Sequence, residues 1–382
     1  MPQYILFLAT VPSMIVAFNT RNIRILQDMG YTIHAACNFK DRSAWTDAQV
    51  ADMENKLREM KVEMHQIDMP RKPYHPIQLL KAYLQVKKLA KEYSYCLLHN
   101  QSCVSGIVGR IALRNKIPKI MHTEHGFYYF EGGPKINWIF YPFDKLCSRW
   151  TDELVVINHD DFAFANKRLK AKHVTYIPGV GIDTERYRNT RIDRTKKRAE
   201  LGIPENAFVV LSVGELNDNK NHATVIRAIA KMKEQNIYYV ICGEGVVKEK
   251  LLNLAGECGL SGRVLLVGLR TDVNEFIKMA DVFAFPSKRE GLGLAALEAM
   301  AGGLPLISSN KNGINDYAEE GKTGFMYEPD DVDGFADGIK KMKDSEKLRR
   351  QFCQYNMKKA QVFGSDAVDA IMRKAYQQIL RI

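Results

Sequence analysis

Short runs rich in β-branched and aromatic residues alternate with helix-period stretches along this 382-residue chain. That alternation admits few folds, because it is the rhythm of doubly wound α/β layers. Strand-like runs lie at 5–9, 32–37, 63–67, 95–99, 119–123, 153–157 and 173–177 in the first half. In the second half they lie at 208–213, 238–242, 264–267, 282–285 and 305–308. Residues 186–204, RYRNTRIDRTKKRAELGIP, break the rhythm, being strongly basic and lacking an apolar strand. The chain exceeds one ordinary core, so two domains are expected, joined near residues 178–190. Their bounds are 1–185 and 186–361, with a short helix at 194–201 opening the second. A last amphipathic helix covers about 367–380.

Composition excludes several classes. Hydrophobic content of 46% with 26% charged residues is that of a globular chain. Seven cysteines are scattered, odd in number and never in a C-x-x-C pair, which points to reduced core thiols rather than disulfides or a zinc site. The first charge is Arg21, so residues 2–20 invite a leader or anchor reading. Thr10, Pro12 and Ser13 interrupt that run, no basic segment precedes it, and it falls short of the ~20 apolar residues a span needs. It reads instead as strand, loop and helix.

The net charge of +11 admits nucleic acid, anionic lipid or phosphorylated partners. No helix-turn-helix, zinc-finger or RNA-recognition pattern is present, so no nucleic-acid partner is expected. The charge concentrates in residues 71–91, RKPYHPIQLLKAYLQVKKLAK, with six basic residues and no acid. Ile77, Leu80, Leu84 and Leu89 recur there at near-helical intervals. This is either a solvated helix face or a surface drawn to an anionic membrane, where each basic residue contributes ~1 kcal/mol. On the second reading Arg71, Lys72 and Lys81 are its candidate contacts and the chain sits peripherally on that membrane.

Residues 280–303, ADVFAFPSKREGLGLAALEAMAGG, carry the most chemistry. A buried strand runs into a glycine turn and then an apolar helix. That geometry aims bare backbone N–H groups and the positive end of a helix at an anion. Glu290 and Glu298 flank the turn. Carboxylates are poor phosphate ligands but accept both hydroxyls of a diol. Phosphate between hydroxyl-bearing groups describes a nucleotide sugar.

This pattern resembles the signature of the family 4 retaining glycosyltransferases, and the flanking ADVFAFPS and AMAGGLPLISSNKNGINDY extend the resemblance. It implies the GT-B fold, two Rossmann-like doubly wound domains facing a central cleft, with the segment from about 362 packing back on the first domain. It also implies that Glu298 holds the ribose, Glu290 approaches the donor sugar, and the amides of Gly291, Leu292, Gly293 and Leu294 meet sugar and phosphate. In SVGELNDNKNHATVIRAI (212–229), Lys220 is the cation placed to meet a diphosphate beside Gly214. Glu215 stands where the family usually has an arginine, so Lys220 acts alone or with Lys288 or Arg289. Gly243 allows close approach of backbone to the nucleotide. Gly268, Leu269 and Arg270 lie where the family binds the base, Arg270 being suited to stack on a pyrimidine.

In KIMHTEHGFYYFEGGPKINWIFYPFD (119–144) the resemblance assigns His125 to the catalytic site, across the cleft from the donor. Phe127, Tyr128, Tyr129 and Trp138 either pave an acceptor or membrane surface or belong to the core. Gln101 occupies a position often held by histidine. The D-x-D at 331–333 follows Glu328-Pro329, so helix capping explains it better than a metal does. No metal or other cofactor is expected. The resemblance implies transfer from a UDP-sugar to a polyprenyl-diphosphate-linked saccharide in capsule, exopolysaccharide or O-antigen assembly. A UDP-sugar epimerase of similar architecture would bind the same donor, and a basic nucleic-acid-binding protein would share only the charge.

Overall fold

A computed structural model describes residues 3–42, 46–71, 74–130 and 132–381. Two compact units emerge, residues 1–180 with 368–382, and residues 181–367. The first unit holds β1 (Tyr4–Leu8), β2 (Thr32–Cys37), β3 (Glu63–Gln66), β4 (Tyr95–Gln101), β5 (Lys119–Glu124), β6 (Glu153–Val156) and β7 (His173–Tyr176). They form one parallel sheet in the order β3-β2-β1-β4-β5-β6-β7. The second unit holds β8 (Phe208–Val213), β9 (Ile237–Cys242), β10 (Val264–Leu266), β11 (Val282–Phe285), β12 (Leu306–Ser309) and β13 (Gly324–Tyr327). Its parallel order is β10-β9-β8-β11-β12-β13. Each order reverses once, between β1 and β4 and between β8 and β11. There the loops leaving neighbouring strands diverge and open a crevice at the carboxyl ends.

The elements form for local reasons. The strands of the second sheet are nearly all buried, and the helix His222–Met232 presses Val225, Ile226, Ala228 and Ile229 onto them. The helix Leu294–Ala301 is apolar over almost its whole surface and is buried accordingly. The helix Val332–Asp344 begins where Asp331 accepts the Gly334 amide at 2.8 Å. The D-x-D letters are therefore a helix cap.

Residues 3–20 hold β1 and the start of the helix Pro12–Asp28. Among the described residues no helix is long and apolar enough to cross a membrane. All seven cysteines are free. β13 has no counterpart among the strand-like runs. Its GFMY is short, opens on glycine and follows a charged turn, so only pairing with β12 makes it a strand. β4 runs on through Asn100 and Gln101, which places Gln101 at the sheet's edge rather than in a loop.

The C-terminal helix Ser365–Leu380 buries Val368, Met372, Ala375, Tyr376 and Ile379. In the first unit, Arg21 forks onto the Asp369 carboxylate at 2.8–3.1 Å, and Tyr376 Oη lies 3.0 Å from His99 Nδ1. Tyr376 is therefore a core residue supplied by the far end of the chain. Tyr376→Ala is expected to lower unfolding free energy by ~3–5 kcal/mol through lost packing. Tyr376→Phe, which leaves a buried imidazole N–H unpaired, is expected to cost ~1–3 kcal/mol. Urea denaturation of both variants checks this order.

Candidate functional site

The reversal in the second sheet sets the loop after β8 beside the loop after β11. Lys220 from the first and Glu290 from the second meet there, Nζ to Oε1 at 2.6 Å, with side chains 20% and 10% exposed. The loops are laced together around the pair. Asn217 Oδ1 accepts the Lys220 amide at 2.9 Å, the Lys288 amide donates to Asn219 O at 2.8 Å, and Asn219 Nδ2 donates to Arg289 O at 2.9 Å. Asn221, left-handed at φ +55°, ties the loop to Pro329 O at 2.8 Å. Gly214 gives the lysine its path, since a Cβ there would stand 3.3 Å from Lys220 Cε. Lys288 turns to Asp330 at 3.3 Å, and Glu215 is exposed, so neither shares the position of Lys220.

The turn beyond Glu290 ends in Gly293, left-handed at φ +92°, as the N-cap of the helix Leu294–Ala301. A Cβ at Gly293 would lie 2.7 Å from the Phe285 ring and 2.9 Å from Tyr317 Oη, so only glycine fits. No side chain caps the helix, which leaves its first amides for an anion. Leu292 is buried and offers backbone alone, while Gly291 and Leu294 are half-buried. Gly313 packs on Gly291, whose carbonyl would lie 2.1 Å from a Cβ, and its amide donates to Glu290 O at 3.3 Å. Glu298 stands one turn into the helix, half-buried, its carboxyl pushed up by burial and held by a hydrogen bond from Tyr187.

Gly243 packs so tightly on Gly214 that a Cβ would fall 1.9 Å from the Gly214 carbonyl, and its amide donates to Gly268 O at 2.8 Å. Leu269 and Arg270 are exposed nearby. Arg270 forks onto Asp272 at 2.7–2.8 Å and lies over the Phe276 ring at 5.1 Å. Tyr187, Asn221 and Tyr317 escaped the sequence reading. No spacing marks them, because each meets the site only through folding.

In the first unit the ends of β4 and β5 bring another set together. His125 Nε2 donates to Gln101 Oε1 at 2.9 Å, Gln101 Nε2 donates to His99 Nε2 at 2.9 Å, and His99 Nδ1 donates to Tyr376 Oη. These directions follow from the orientation of the Gln101 amide, which makes His99 Nε2 an acceptor, with Thr123 Oγ1 also on that nitrogen at 2.8 Å. Gln101 is thus the positioning residue for His125. The His125 ring packs against Phe18 at 5.0 Å and lines a small cavity with Asn19, Gln101, Thr123 and Met372. Burial lowers His125 to about 4 and His99 to about 3, so both are neutral near pH 7.

The aromatic run requires a correction. Phe127 and Tyr129 are buried, stacked with centroids 5.3 Å apart, and Tyr129 donates to Asp144, the buried partner of Arg110 at 2.6 Å. They are core, not acceptor or membrane surface, because they pack on Phe164 and, for Tyr129, on Trp138 and Tyr141. Tyr128, between them, is 54% exposed, and Trp138 is half-buried on Tyr129. Lys81 pairs with Asp68 at 2.8 Å, Arg71 lies close enough for its charge to act on Tyr128, and Lys72 lies outside the described residues. Ile77, Leu80 and Leu84 stay exposed, and only Leu89 of that stripe is buried. One metal-type cluster occurs among the described residues, His34, Glu63 and His65, on strands of the first unit away from the loops above.

Residues 193–359 match the family model described as "Glycosyl transferases group 1", and residues 4–158 match "Glycosyl transferase 4-like". Bacillus subtilis EpsD is 32% identical over 95% of this chain and 93% of its own length. The Escherichia coli UDP-Gal:alpha-D-GlcNAc-diphosphoundecaprenol alpha-1,3-galactosyltransferase is 32% identical over 71% of this chain and 72% of its own. Anabaena HepE, solved with UDP and glucose, superposes with a TM-score of 0.81 at 19% identity, over 98% of this chain and 100% of that one. The fold is GT-B.

Three histidines, the buried His99 and His222 and the half-buried His125, have folded values of about 3, 4 and 4, below the ordinary 6.5. Their contribution to stability is complete above pH 6.5 and is lost as pH falls towards 4. Each adds a slope of about 1.4 kcal/mol per pH unit in that window. Unfolding free energy followed from pH 7.5 to 4.5 checks the fall, and His125→Gln is expected to remove the contribution of that residue, leaving those of His99 and His222 beside the lowered His34, His65 and His122.

Proposed function

This chain belongs to the group 1 glycosyltransferases of the family 4 type, and from that premise we propose that it transfers a sugar from UDP, with retention, to a polyprenyl-diphosphate-linked saccharide in exopolysaccharide-type assembly. The observation that carries the donor half is the Lys220–Glu290 pair at 2.6 Å beside an uncapped helix start, with Glu298 one turn on. Lys220 and the amides of Gly291 to Leu294 take the diphosphate. Glu298 accepts the ribose hydroxyls, for which its hydrogen bond from Tyr187 is the stand-in. Glu290, freed in part as phosphate draws on Lys220, accepts a hydroxyl of the sugar.

The bond between anomeric carbon and phosphate oxygen breaks through an oxocarbenium-like state, and the leaving diphosphate carries the growing charge. Lys220 and the helix amides stabilise that charge without a metal, so chelators are expected to leave turnover unchanged. The departing phosphate oxygen takes the acceptor's proton. His125, neutral and fixed by Gln101, offers its free Nδ1 to a hydroxylated substrate. The acceptor reading draws its support from the Escherichia coli relative, whose name gives a diphosphoundecaprenol acceptor. A peripheral place on an anionic membrane follows from that lipid and from the basic segment at 71–91.

The test is UDP release from a panel of UDP-sugars, with and without a lipid-diphosphate saccharide. Lys220→Ala is expected to lower kcat ~10²–10³-fold, as loss of an oxyanion-type contact does. Glu298→Ala is expected to abolish measurable donor binding by calorimetry. Glu290→Gln is expected to slow transfer more than it weakens nucleotide affinity. Ordinary turnover in all three variants refutes the site.

A further inference from the structure

The edge of the first sheet carries a side-chain cluster that neither the nucleotide-sugar chemistry nor His125 uses. β3 is the outermost strand and pairs with β2, His34 opposite Glu63 and Ala36 opposite His65. Paired residues of neighbouring strands share a face of the sheet, as do residues two apart on one strand. His34, Glu63 and His65 therefore project from one side of a two-strand ribbon. Each offers one ligand atom, and those atoms all lie within 4.8 Å of one another. Two imidazoles and a carboxylate are the protein ligands of an open zinc site. Glu63 is the first residue of β3, so the cluster sits at the amino end of that strand. The carboxyl edge, with Gln101 and His125, is elsewhere.

The surroundings favour a cation. His34 is fully buried, and among the described residues its Nε2 makes no hydrogen bond, with Glu63 Oε2 facing it at 3.3 Å. A buried ring nitrogen without a partner is costly unless something meets it. Tyr95 Oη stands 2.8 Å from His34 Nδ1, and Tyr93 Oη donates to Glu63 Oε1 at 2.7 Å. Partners behind the ligands fix their orientation: with Nδ1–H donated to Tyr95 Oη, Nε2 presents its lone pair. The rings of Tyr4, Tyr93 and Tyr95 surround His34 at 4.5–5.4 Å between centroids and close the inner side. Glu63, its side chain 49% exposed, leaves the outer side open to an entering ion. The anions acting on the imidazoles are Glu63, on both, and Glu92, on His65. Burial lowers both rings below their ordinary value, so they are neutral ligands near pH 7.

We propose that His34 Nε2, His65 Nε2 and a Glu63 oxygen bind a late first-row divalent cation of the Zn²⁺ type, with water completing its shell. In the free protein His65 Nε2 rests 3.0 Å from His34 Nδ1 and 3.7 Å from Glu63 Oε1. Ligands at ~2.0–2.2 Å from a tetrahedral ion stand roughly 3.4 Å apart, a closure that the exposed Glu63 and half-buried His65 make by rotating. The ion ties β3 to β2 through side chains. β3 is a four-residue edge strand, and an edge strand leaves one row of backbone groups unpaired, so a cross-link there holds what the ladder alone holds weakly. The ion takes no part in sugar transfer, in keeping with turnover that survives chelators.

Calorimetry of the full chain, reduced and treated with EDTA, is expected to show one tight equivalent of ZnCl2. Tyr93→Phe, which removes only a partner of Glu63, is expected to weaken it ~10-fold, and Glu63→Gln and His65→Gln more than that. Zn²⁺ is expected to raise the melting temperature of the native chain and not that of Glu63→Gln. Co²⁺ separates this site from the free cysteines, since nitrogen and oxygen ligands give visible absorption without a thiolate charge-transfer band. Circular dichroism establishes that the variants fold, and Tyr93→Phe carries the test if the two ligand variants do not. Absence of stoichiometric Zn²⁺ binding overturns the proposal and leaves the cluster a hydrogen-bonded edge. So does binding that all three variants leave unchanged, or a thiolate band with Co²⁺. A chain that binds Zn²⁺ here yet transfers no sugar from any UDP-sugar defeats the functional reading and leaves the metal site standing.

Discussion

Two sheets that each reverse their strand order once are the constraint on which the rest depends. Parallel crossovers from β8 to β9 to β10, and then from β11 outwards, leave one gap where adjacent loops go opposite ways. The loops after β8 and β11 have no other place to go. Lys220 and Glu290 are seventy residues apart in sequence and 2.6 Å apart in space for that reason. The pair is a stored ion pair in the free protein. A diphosphate offers the lysine a second anion, so binding and release of the Glu290 carboxylate are coupled through one ammonium group.

Glycine is used where this geometry leaves no volume. Gly293 admits Phe285 and Tyr317 Oη against the start of the helix Leu294–Ala301, and Gly243 admits the Gly214 carbonyl. Both positions also carry a backbone φ that side chains rarely adopt. The result is a concave wall of backbone amides rather than of side chains, fitted to a polyanion whose oxygens need short, fixed donors.

The first unit solves a different problem with the same topology. β4 ends in polar residues, and the chain Tyr376, His99, Gln101, His125 uses both ring nitrogens of His99 and one of His125. The remaining nitrogen is His125 Nδ1, beside the small cavity that His125 lines. Burial that holds these rings neutral near pH 7 also costs stability as they are driven to protonate in acid.

The sequence by itself determined the layers, the strand positions, the glycine turn between two glutamates, and Lys220 as the diphosphate cation candidate. These are local signals: period, turn chemistry and spacing within about twenty residues. It could not decide which residues of the aromatic run turn inward. Phe127 and Tyr129 went to the core and Tyr128 to solvent once Asp144 and Phe164 were in place. Nor could it give β13 a partner, assign Gln101 to His125, or bring Tyr187 to Glu298. Each of those depends on contacts between residues distant in the chain, whose free energy exists only after the sheets have closed over their cores.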